Sequence, residues 1–197
     1  MNQLLKYFLA VTFAWTLFSC NANTTEVSSE ENTSSSIQWM TFEEAVKRAE
    51  TDKEPKNIFI DFYTSWCGWC KVMDKQTFTD PNVIELMNKG YINTNFYPVK
   101  FDAEGKDPIT FRGKEFVFVA EGRNGYHQLA AEFMQGKMSY PTFMFVNPKF
   151  EIITPISGFV KPEEFEPIVN FLGQNKHLGE NNGNWEQYKL NYQRGQK

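Results

Sequence analysis

The segment Trp66–Lys71 (WCGWCK) holds two cysteines separated by two residues, and it lies between two elements of different character. Before it, Asn57–Tyr63 is an apolar run with β-branched and aromatic residues, which predicts a buried strand. After it, residues 72–77 follow a helical period without a proline, which predicts a helix. The dipole and the free N–H groups at the start of a helix favour a thiolate, the nucleophile of disulfide exchange. The position of Cys67 and Cys70 therefore predicts a pair that opens and closes a disulfide reversibly.

Three other uses of such a pair fit the sequence less well. A structural zinc site needs about four ligands, and the remaining candidates, His127 and His177, have no paired spacing. Covalent haem attachment requires a histidine directly after the second cysteine, where Lys71 stands. A purely structural disulfide stays open as an alternative, although so small a ring restrains little of the unfolded chain's entropy. We expect redox chemistry without a metal or another cofactor, and we expect His127 on the surface of a helix.

Residues 1–20 have the features of an export signal. Lys6 precedes Tyr7–Phe18, an uncharged stretch of twelve residues that matches the core of a signal peptide and is too short to span a membrane. The stretch runs into Leu17–Cys20, which resembles the lipobox of bacterial lipoproteins, so we expect Cys20 to receive a lipid. The alternative is an ordinary cleaved signal in which Cys20 is incidental. Both alternatives predict an exported protein of a bacterial periplasm or cell envelope.

Residues 21–36 are rich in Ser, Thr, Asn and Glu, and Val27 is their only large apolar side chain. Such a segment cannot bury enough surface to fold by itself, which predicts a flexible tether between the anchor and a folded domain. The formal net charge of the chain is −4, and the sequence has no basic patch to neutralise phosphates. We therefore expect contact with a membrane through the lipid anchor, and we expect no nucleic-acid partner.

Residues 37–178 form one domain-sized unit with room for a single hydrophobic core. Strands and helices alternate along it and end in a hairpin followed by a helix, which predicts an α/β fold with a mixed central sheet flanked by helices. The predicted elements are a helix opened by the capping box Thr41–Glu44, strands at 57–63, 96–101 and 142–146, helices after Cys67 and at 81–88, a hairpin strand at 151–154, and a last helix from Lys161 to Gly173.

The stretch between Asp102 and Pro141 is longer than a single crossover helix needs, so we expect an insertion at about 104–125. A hairpin is expected within it, with its turn at Arg112–Lys114. The following residues, Tyr126–Met134, predict a helix. The hairpin serves either to recognise a partner or simply to extend an edge of the domain.

The tail, residues 179–197, carries Trp185, Tyr188 and Tyr192 at helical spacing. This spacing predicts a short amphipathic helix that packs on the domain through its aromatic face. A helix that binds a partner protein is the alternative for the tail.

Three segments resemble the thioredoxin superfamily. Ile60–Cys70 is similar to the active-site strand and motif of that superfamily, with Asp61 six residues before the first cysteine. Tyr140–Thr142 resembles its cis-proline loop. Lys75–Val83 is similar to the periplasmic C-terminal domain of the thiol:disulfide interchange protein DsbD and to stand-alone lipoprotein relatives. The resemblance covers residues 40–173 and implies a thioredoxin-like fold with an inserted segment before the cis-proline strand.

The resemblance also implies roles for the two cysteines. Cys67 is expected to be the exposed nucleophile that attacks a disulfide of a partner protein, and Cys70 is expected to resolve the mixed disulfide. Asp61 lies on an apolar strand, where burial raises the pKa of a carboxyl group, and we expect it to accept the proton of Cys70. The alternative for Asp61 is a polar residue that is hydrogen-bonded to a neighbouring backbone group.

Substrate contacts are expected around the motif. The resemblance implies that Pro141, in cis, places its neighbouring backbone beside Cys67, where that backbone offers strand-like hydrogen bonds to a substrate peptide. Trp66 is expected to pack beside the motif and to limit solvent access to it. The residues predicted to contact substrate are Trp66, Gly68, Trp69, Tyr140 and Pro141.

The dipeptide between the cysteines, Gly68-Trp69, differs from the Gly-Pro of thioredoxin, and this dipeptide influences thiolate stability and the direction of electron flow. We expect an exported thiol-disulfide oxidoreductase that acts on protein disulfides or thiols as a reductase and receives electrons from a membrane donor. The alternatives are a disulfide oxidase or isomerase, and a non-catalytic adaptor that binds a partner through the insertion and the tail.

Overall fold

The computed structural model describes residues 35–88, 96–179 and 183–195 of the 197-residue chain. The predicted signal 1–20, the predicted lipid acceptor Cys20 and all but the end of the tether lie outside the described residues. Within the described ranges, no helix is both long enough and apolar enough to cross a membrane.

Strands and helices alternate along the chain. The strands are β1 (Asn57–Tyr63), β2 (Phe96–Asp102), β3 (Ile109–Phe111), β4 (Lys114–Phe116), β5 (Phe118–Val119), β6 (Tyr126–His127), β7 (Thr142–Val146) and β8 (Ile152–Ser157). The helices are α1 (Phe42–Thr51), α2 (Gly68–Gln76), α3 (Pro81–Asn88), α4 (Gln128–Phe133), α5 (Pro162–Gly173) and α6 (Trp185–Asn191), with a turn of 3-10 helix at Lys176–Leu178.

A mixed four-stranded sheet in the order β2-β1-β7-β8 forms the centre of the fold. β1 runs parallel to β2 and antiparallel to β7, and β8 pairs antiparallel with β7 at the edge. Because β1 has a neighbour on each side and is covered on both faces, its residues from Asn57 to Phe62 are all buried. The predicted α/β fold with a mixed central sheet is confirmed.

Apolar side chains pack on both faces of the sheet and divide into two clusters. Phe59 belongs to a cluster with side chains of α2, α3 and α5, whereas Ile58 and Ile60 belong to a cluster with side chains of α1 and α4. Side chains alternate between the faces of a strand, so Asp61 lies on the same face as Phe59. This face of β1 is the one that α2 covers, and α2 carries the cysteine pair.

The predicted capping box at the start of α1 is confirmed. The Thr41 hydroxyl accepts a hydrogen bond from the Glu44 N–H across 3.2 Å, and the Glu44 carboxylate accepts one from the Thr41 N–H across 2.8 Å. Two of the N–H groups that a helix leaves unpaired at its start are thereby satisfied. The next residue, Phe42, is buried in the cluster that contains Ile58.

The predicted helix at Tyr126–Met134 is shorter in the structure. Its first two residues form β6 and pair with β5, so the helix begins at Gln128. His127 is the N-cap of α4, because its Nδ1 accepts a hydrogen bond from the Leu129 N–H across 3.2 Å. The expectation that His127 lies on a helix surface is wrong, since the residue is 1% exposed and its ring packs against Phe101.

The predicted hairpin at Arg112–Lys114 is confirmed, and it joins β3 to β4. Arg112 and Gly113 have φ angles of 52° and 74°, and two successive positive φ values give a tight turn whose twist matches that of the flanking strands. The second predicted hairpin is displaced slightly, because β8 begins at Ile152 and continues to Ser157 as the partner of the whole of β7.

The tail helix, α6, packs on α5. The Trp185 ring contacts the Phe171 ring edge to face at 5.2 Å, and the Tyr188 hydroxyl donates a hydrogen bond to Asn170 Oδ1 across 2.7 Å. Two side chains of α6 thus contact two successive residues of α5, which is the arrangement that the aromatic spacing of the tail predicts.

A buried carboxylate holds the residues after α6. Glu166 of α5 is fully buried and accepts hydrogen bonds from the Tyr192 hydroxyl (2.9 Å), Arg194 Nε (2.6 Å) and the Gly195 N–H (2.7 Å). Arg194 also forms an ion pair with Asp80, which precedes α3, across 2.7 Å. A single arginine of the tail therefore bridges α5 and the start of α3.

We predict that Arg194→Gln lowers the free energy of unfolding by about 2 kcal/mol, because Glu166 stays buried after its cationic partner is lost. This loss of stability is smaller than the loss expected when a fully buried ion pair is broken, because Arg194 is 41% exposed. Urea denaturation measures the change, and Arg123→Gln, at an exposed position, is the control and should change stability by less than about 0.5 kcal/mol. Equal effects of the two substitutions would contradict a structural role for the tail.

Candidate functional site

Cys67 and Cys70 meet at the start of α2. Cys67 is the N-cap residue of this helix, and Cys70 lies in its first turn. The two sulfur atoms form a disulfide, so the structure holds the oxidised pair. The backbone N–H of Cys70 also donates a hydrogen bond to Cys67 Sγ across 3.0 Å. In a reduced pair, the same N–H and the helix dipole favour a thiolate at Cys67.

Both cysteines are buried, with 3% of Cys67 and 4% of Cys70 exposed. The expectation that Cys67 is exposed is therefore wrong for the oxidised pair. Cys67 Sγ is directed back over the first turn of α2, where it is bonded to Cys70 Sγ and accepts the N–H hydrogen bond. The tryptophans beside the pair are exposed, with 56% of Trp66 and 61% of Trp69 accessible to solvent. The accessible surface at the motif therefore includes both indole rings and almost nothing of the two cysteines.

Trp66 is held by contacts with two other segments of the chain. Its Nε1 donates a hydrogen bond to Glu104 Oε1 across 2.7 Å. Its ring packs edge to face against Tyr140 at 5.9 Å, and the peptide bond between Tyr140 and Pro141 is cis, as the resemblance to the thioredoxin superfamily implies. The residue before Cys67 and the residue before Pro141 are therefore in contact.

Trp69 lies on the other side of the motif. Its ring stacks on Phe159, which lies between β8 and α5, with 5.6 Å between the ring centroids. Between the two tryptophan contacts, Gly68 is open, because a side-chain Cβ added there would meet no other atom within 4 Å. The backbone at Gly68 is thus accessible to an approaching chain, with an aromatic contact on each side.

Asp61 is a buried carboxylate on the face of β1 that α2 covers. It is 2% exposed, and its Oδ1 has no hydrogen-bond partner within the part of the chain that the structure describes. Burial raises the pKa of Asp61 to about 7; the positive charge of Lys100 opposes this shift and the negative charge of Asp74 adds to it. A carboxyl group with this pKa accepts and returns protons near neutral pH, as general acid–base chemistry requires.

Lys100 is the cation beside Asp61. It lies opposite Asp61 in the ladder between β1 and β2, and its Nζ is 3.4 Å from Asp61 Oδ2. The same Nζ donates a hydrogen bond to Asp74 of α2. It also lies 5.1–5.5 Å from the ring centroids of Trp39, Tyr63 and Phe78, so aromatic faces surround the ammonium group.

Four residues of the site are not among those that the motifs predict, namely Asp74, Lys100, Glu104 and Phe159. Lys100 carries a detectable signal, because it is the lone cation of β2 and the only charged residue of that strand before Asp102. Asp74 follows Cys70 by four residues, which places both on one face of a helix. Glu104 and Phe159 carry no comparable pattern, since each reaches a tryptophan only through the folding of distant segments.

The part of the chain that the structure describes contains no cluster of three or more His, Cys, Asp or Glu residues that could bind a metal ion. Both nitrogens of His127 are already engaged. Nδ1 accepts the N–H of Leu129, and Nε2 lies 3.2 Å from the carbonyl oxygen of Asp107.

A family model described as Thioredox_DsbH, a protein of unknown function (DUF255), matches residues 28–173 of the chain. The uncharacterized protein B0495.5 of Caenorhabditis elegans is 27% identical over 138 residues, which are 68% of this chain and 16% of that protein. The thiol:disulfide interchange protein DsbD of Campylobacter jejuni is 31% identical over 83 residues, which are 42% of this chain and 14% of that protein. The chain thus spans less than a fifth of the length of these two relatives.

Solved structures show the same fold. A thioredoxin from Thermus thermophilus superposes with a TM-score of 0.51 and 18% sequence identity, and the match covers 73% of this chain and 94% of that one. At this identity the match establishes that the fold is thioredoxin-like, and function has to be argued from the site itself.

We predict that Asp61→Asn changes the pH dependence of stability in the oxidised protein. Between an unfolded pKa of about 3.9 and the folded value near 7, the native state binds one more proton than the unfolded state, so stability falls as pH rises. Asparagine does not titrate, so the stability of Asp61→Asn does not fall in this way. The free energy of unfolding of the variant, minus that of the unsubstituted protein, should therefore rise by on the order of 3 kcal/mol from pH 4 to pH 8.

Urea denaturation at a series of pH values measures this difference. Asp107→Asn is the matched control, because it makes the same chemical change at an exposed position, and its stability difference should stay constant with pH. A difference for Asp61→Asn that is equally independent of pH would contradict a raised pKa at Asp61.

Proposed function

The chain belongs to the Thioredox_DsbH (DUF255) family, and from this premise we propose that it is an exported thiol-disulfide oxidoreductase that reduces disulfides of client proteins. The observation that carries the proposal is the Cys67–Cys70 disulfide at the start of α2, on the helix that covers the buried carboxylate Asp61. A structural role alone gives no reason to bury a carboxylate beneath this helix when one of its oxygens lacks a hydrogen-bond partner in the described ranges.

The proposed reaction begins with the reduced pair. The Cys67 thiolate attacks one sulfur of a client disulfide, the client S–S bond breaks, and the released client sulfur takes up a proton. Cys70 then gives its proton to Asp61 while its sulfur attacks Cys67 Sγ. The bond between Cys67 and the client breaks, and the Cys67–Cys70 disulfide forms. The second client sulfur leaves as a thiolate and takes up a proton from water. Two electrons thus pass from the cysteine pair to the client, which ends as a dithiol.

Client recognition is assigned to the exposed surface at the motif. Trp66 and Trp69 supply two aromatic surfaces of the kind that dominate protein contacts, and Gly68 leaves the backbone between them open. Tyr140 and Pro141 follow beside Trp66 and offer backbone groups to an extended client segment. Burial of both sulfurs in the oxidised pair suits product release, because the closed disulfide presents little surface to a departing client.

The cellular setting is proposed from the sequence. The signal at 1–20 exports the chain, Cys20 anchors it by a lipid in the bacterial cell envelope, and residues 21–36 act as the tether. A reductase in an oxidising compartment needs a source of electrons, so we assign regeneration of the pair to a membrane donor. The similarity to a thiol:disulfide interchange protein supports this assignment.

A non-catalytic adaptor is the second candidate function, and the burial of Cys67 at 3% exposure favours it. In that case the exposed tryptophans serve binding alone, and the disulfide stiffens the first turn of α2. An adaptor and a reductase differ in one testable respect, because only the reductase forms a covalent bond with its client.

We predict that Cys70→Ser accumulates a mixed disulfide with clients that carry a disulfide, because Cys67 attacks that disulfide and no second thiol resolves the intermediate. Envelope proteins that are captured by the variant are separated by non-reducing and then reducing electrophoresis and identified by mass spectrometry. Cys67→Ser is the matched control. It should capture no client, and it should not accelerate the reduction of insulin disulfides above the rate of dithiothreitol alone.

The same experiment separates the two candidate functions. If Cys70→Ser captures no client, while the doubly substituted Cys67→Ser/Cys70→Ser chain still binds a partner without a covalent bond, the reductase proposal fails and the adaptor is supported.

A further inference from the structure

We propose that Asp74 is a positioning residue, which holds the Lys100 ammonium between itself and Asp61 and thereby sets the pH range in which Asp61 accepts the proton of Cys70. The inference rests on the proposed thiol-disulfide exchange, because it concerns the proton acceptor of that reaction. It adds a second carboxylate, on the redox helix itself, to the pair formed by Asp61 and Lys100.

The three charged side chains come from three different elements. Asp61 lies on β1, Lys100 lies opposite it on β2, and Asp74 lies on α2, which covers this face of the sheet. Asp74 is four residues after Cys70, so it lies one turn further along the same helix face as that cysteine. The lysine therefore links the strand that carries the acceptor to the helix that carries the donor.

Lys100 interacts more closely with Asp74 than with Asp61. Its Nζ donates a hydrogen bond to Asp74, whereas its approach to Asp61 Oδ2 is 3.4 Å. A charge-assisted hydrogen bond between an ammonium and a carboxylate is normally 2.7–2.9 Å long. Asp61 therefore has the longer of the two ion pairs of Lys100, and its Oδ1 has no hydrogen-bond partner among the described residues.

The two aspartates differ in solvent exposure, and therefore in how well water stabilises their negative charges. The side chain of Asp74 is 42% exposed, so water stabilises its charge, whereas that of Asp61 is 3% exposed. With Lys100 drawn toward Asp74, the buried carboxylate loses compensation, and the negative charge of Asp74 further raises the pKa of Asp61. Asp74 thus keeps Asp61 able to hold a proton near neutral pH.

Other groups that face Asp61 do not replace this arrangement in the described ranges. Across the ladder to β7 its partner is Phe143, which carries no charge. The phenol of Tyr63, on β1 itself, has a pKa raised by burial and stays neutral. Cys70 of α2 is held in the disulfide and does not titrate in the oxidised protein.

The proton released when Cys70 resolves the mixed disulfide passes first to Asp61 and then to water. Asp61 in its anionic form takes the proton of the Cys70 thiol as the Cys70 sulfur bonds to Cys67 and the client thiolate leaves. Asp61 then returns this proton to water before the next cycle. Asp74 and Lys100 bond to no reacting atom, so they act on the reaction only through Asp61.

The test uses the full chain and two readouts. The first is the titration midpoint of the Asp61 carboxyl carbon by NMR in the oxidised protein, which requires no activity. The second is the pH profile of insulin reduction. We expect Asp74→Asn to lower both midpoints by about one pH unit, because Lys100 is freed to close on Asp61 and a neighbouring negative charge is lost. Lys100→Gln should raise both.

Two controls accompany these variants. Asp107→Asn makes the same chemical change at an exposed position and should leave both midpoints in place, and Asp74→Glu keeps the charge and should restore a midpoint close to that of the unsubstituted chain. An Asp61 midpoint that is unchanged in Asp74→Asn would overturn the inference.

If Asp74→Asn shifts the titration midpoint of Asp61 but leaves the pH profile of insulin reduction unchanged, the role of Asp74 in the proton transfer is overturned. Failure of the proposed function looks different, because insulin reduction and client capture would then be absent in the unsubstituted chain.

Discussion

The register between β1 and β2 is the constraint on which the rest of the site depends. Asp61 lies opposite Lys100 in a parallel ladder that is buried between two helical layers, and a slip of one residue would move every side chain of β1 to the other face of the sheet. The buried carboxylate would then lose its cation, and Cys67 would no longer follow the end of β1 at the start of α2. Burial of apolar residues on both faces of β1 fixes this register, so the same packing that stabilises the fold also places the groups that we propose for the chemistry.

In the proposed function, the site separates the groups that do chemistry from the groups that recognise clients. The sulfur atoms and Asp61 are buried, whereas Trp66 and Trp69 are exposed on either side of the open backbone at Gly68. Burial lets a carboxyl group titrate near neutral pH and lets a helix N–H act on a sulfur atom without competition from water. Exposed indoles supply contact area at little cost in conformational entropy, because each has two rotatable side-chain bonds. Contacts to Glu104 and Phe159 hold the two rings in place, and both residues come from segments distant in sequence.

Local patterns were sufficient to predict most elements and the cysteine pair. The capping box at Thr41, the strands around Asp61 and the turn at Gly113 depend on neighbouring residues, and the structure contains all three. Tertiary contacts decided the rest. His127 resembled a helix-surface residue, but pairing of β5 with β6 drew it inward as a buried N-cap, and the closed disulfide turned Cys67 away from solvent. The charged cluster around Asp61 could not be predicted as a unit. It depends on the register that sets Lys100 opposite Asp61 and on the position of α2, which brings Asp74 to Lys100.

The proposed reductase requires a cysteine pair that gives electrons to client proteins, and the reduction potential of this pair tests the requirement most directly. The oxidised and reduced forms of the Cys67–Cys70 couple are equilibrated against glutathione buffers, quenched in acid, and counted by alkylation and mass spectrometry. A reductase should reach half reduction near the potential of thioredoxin, about −270 mV. Half reduction near about −120 mV, the value of strongly oxidising members of the superfamily, would contradict the account.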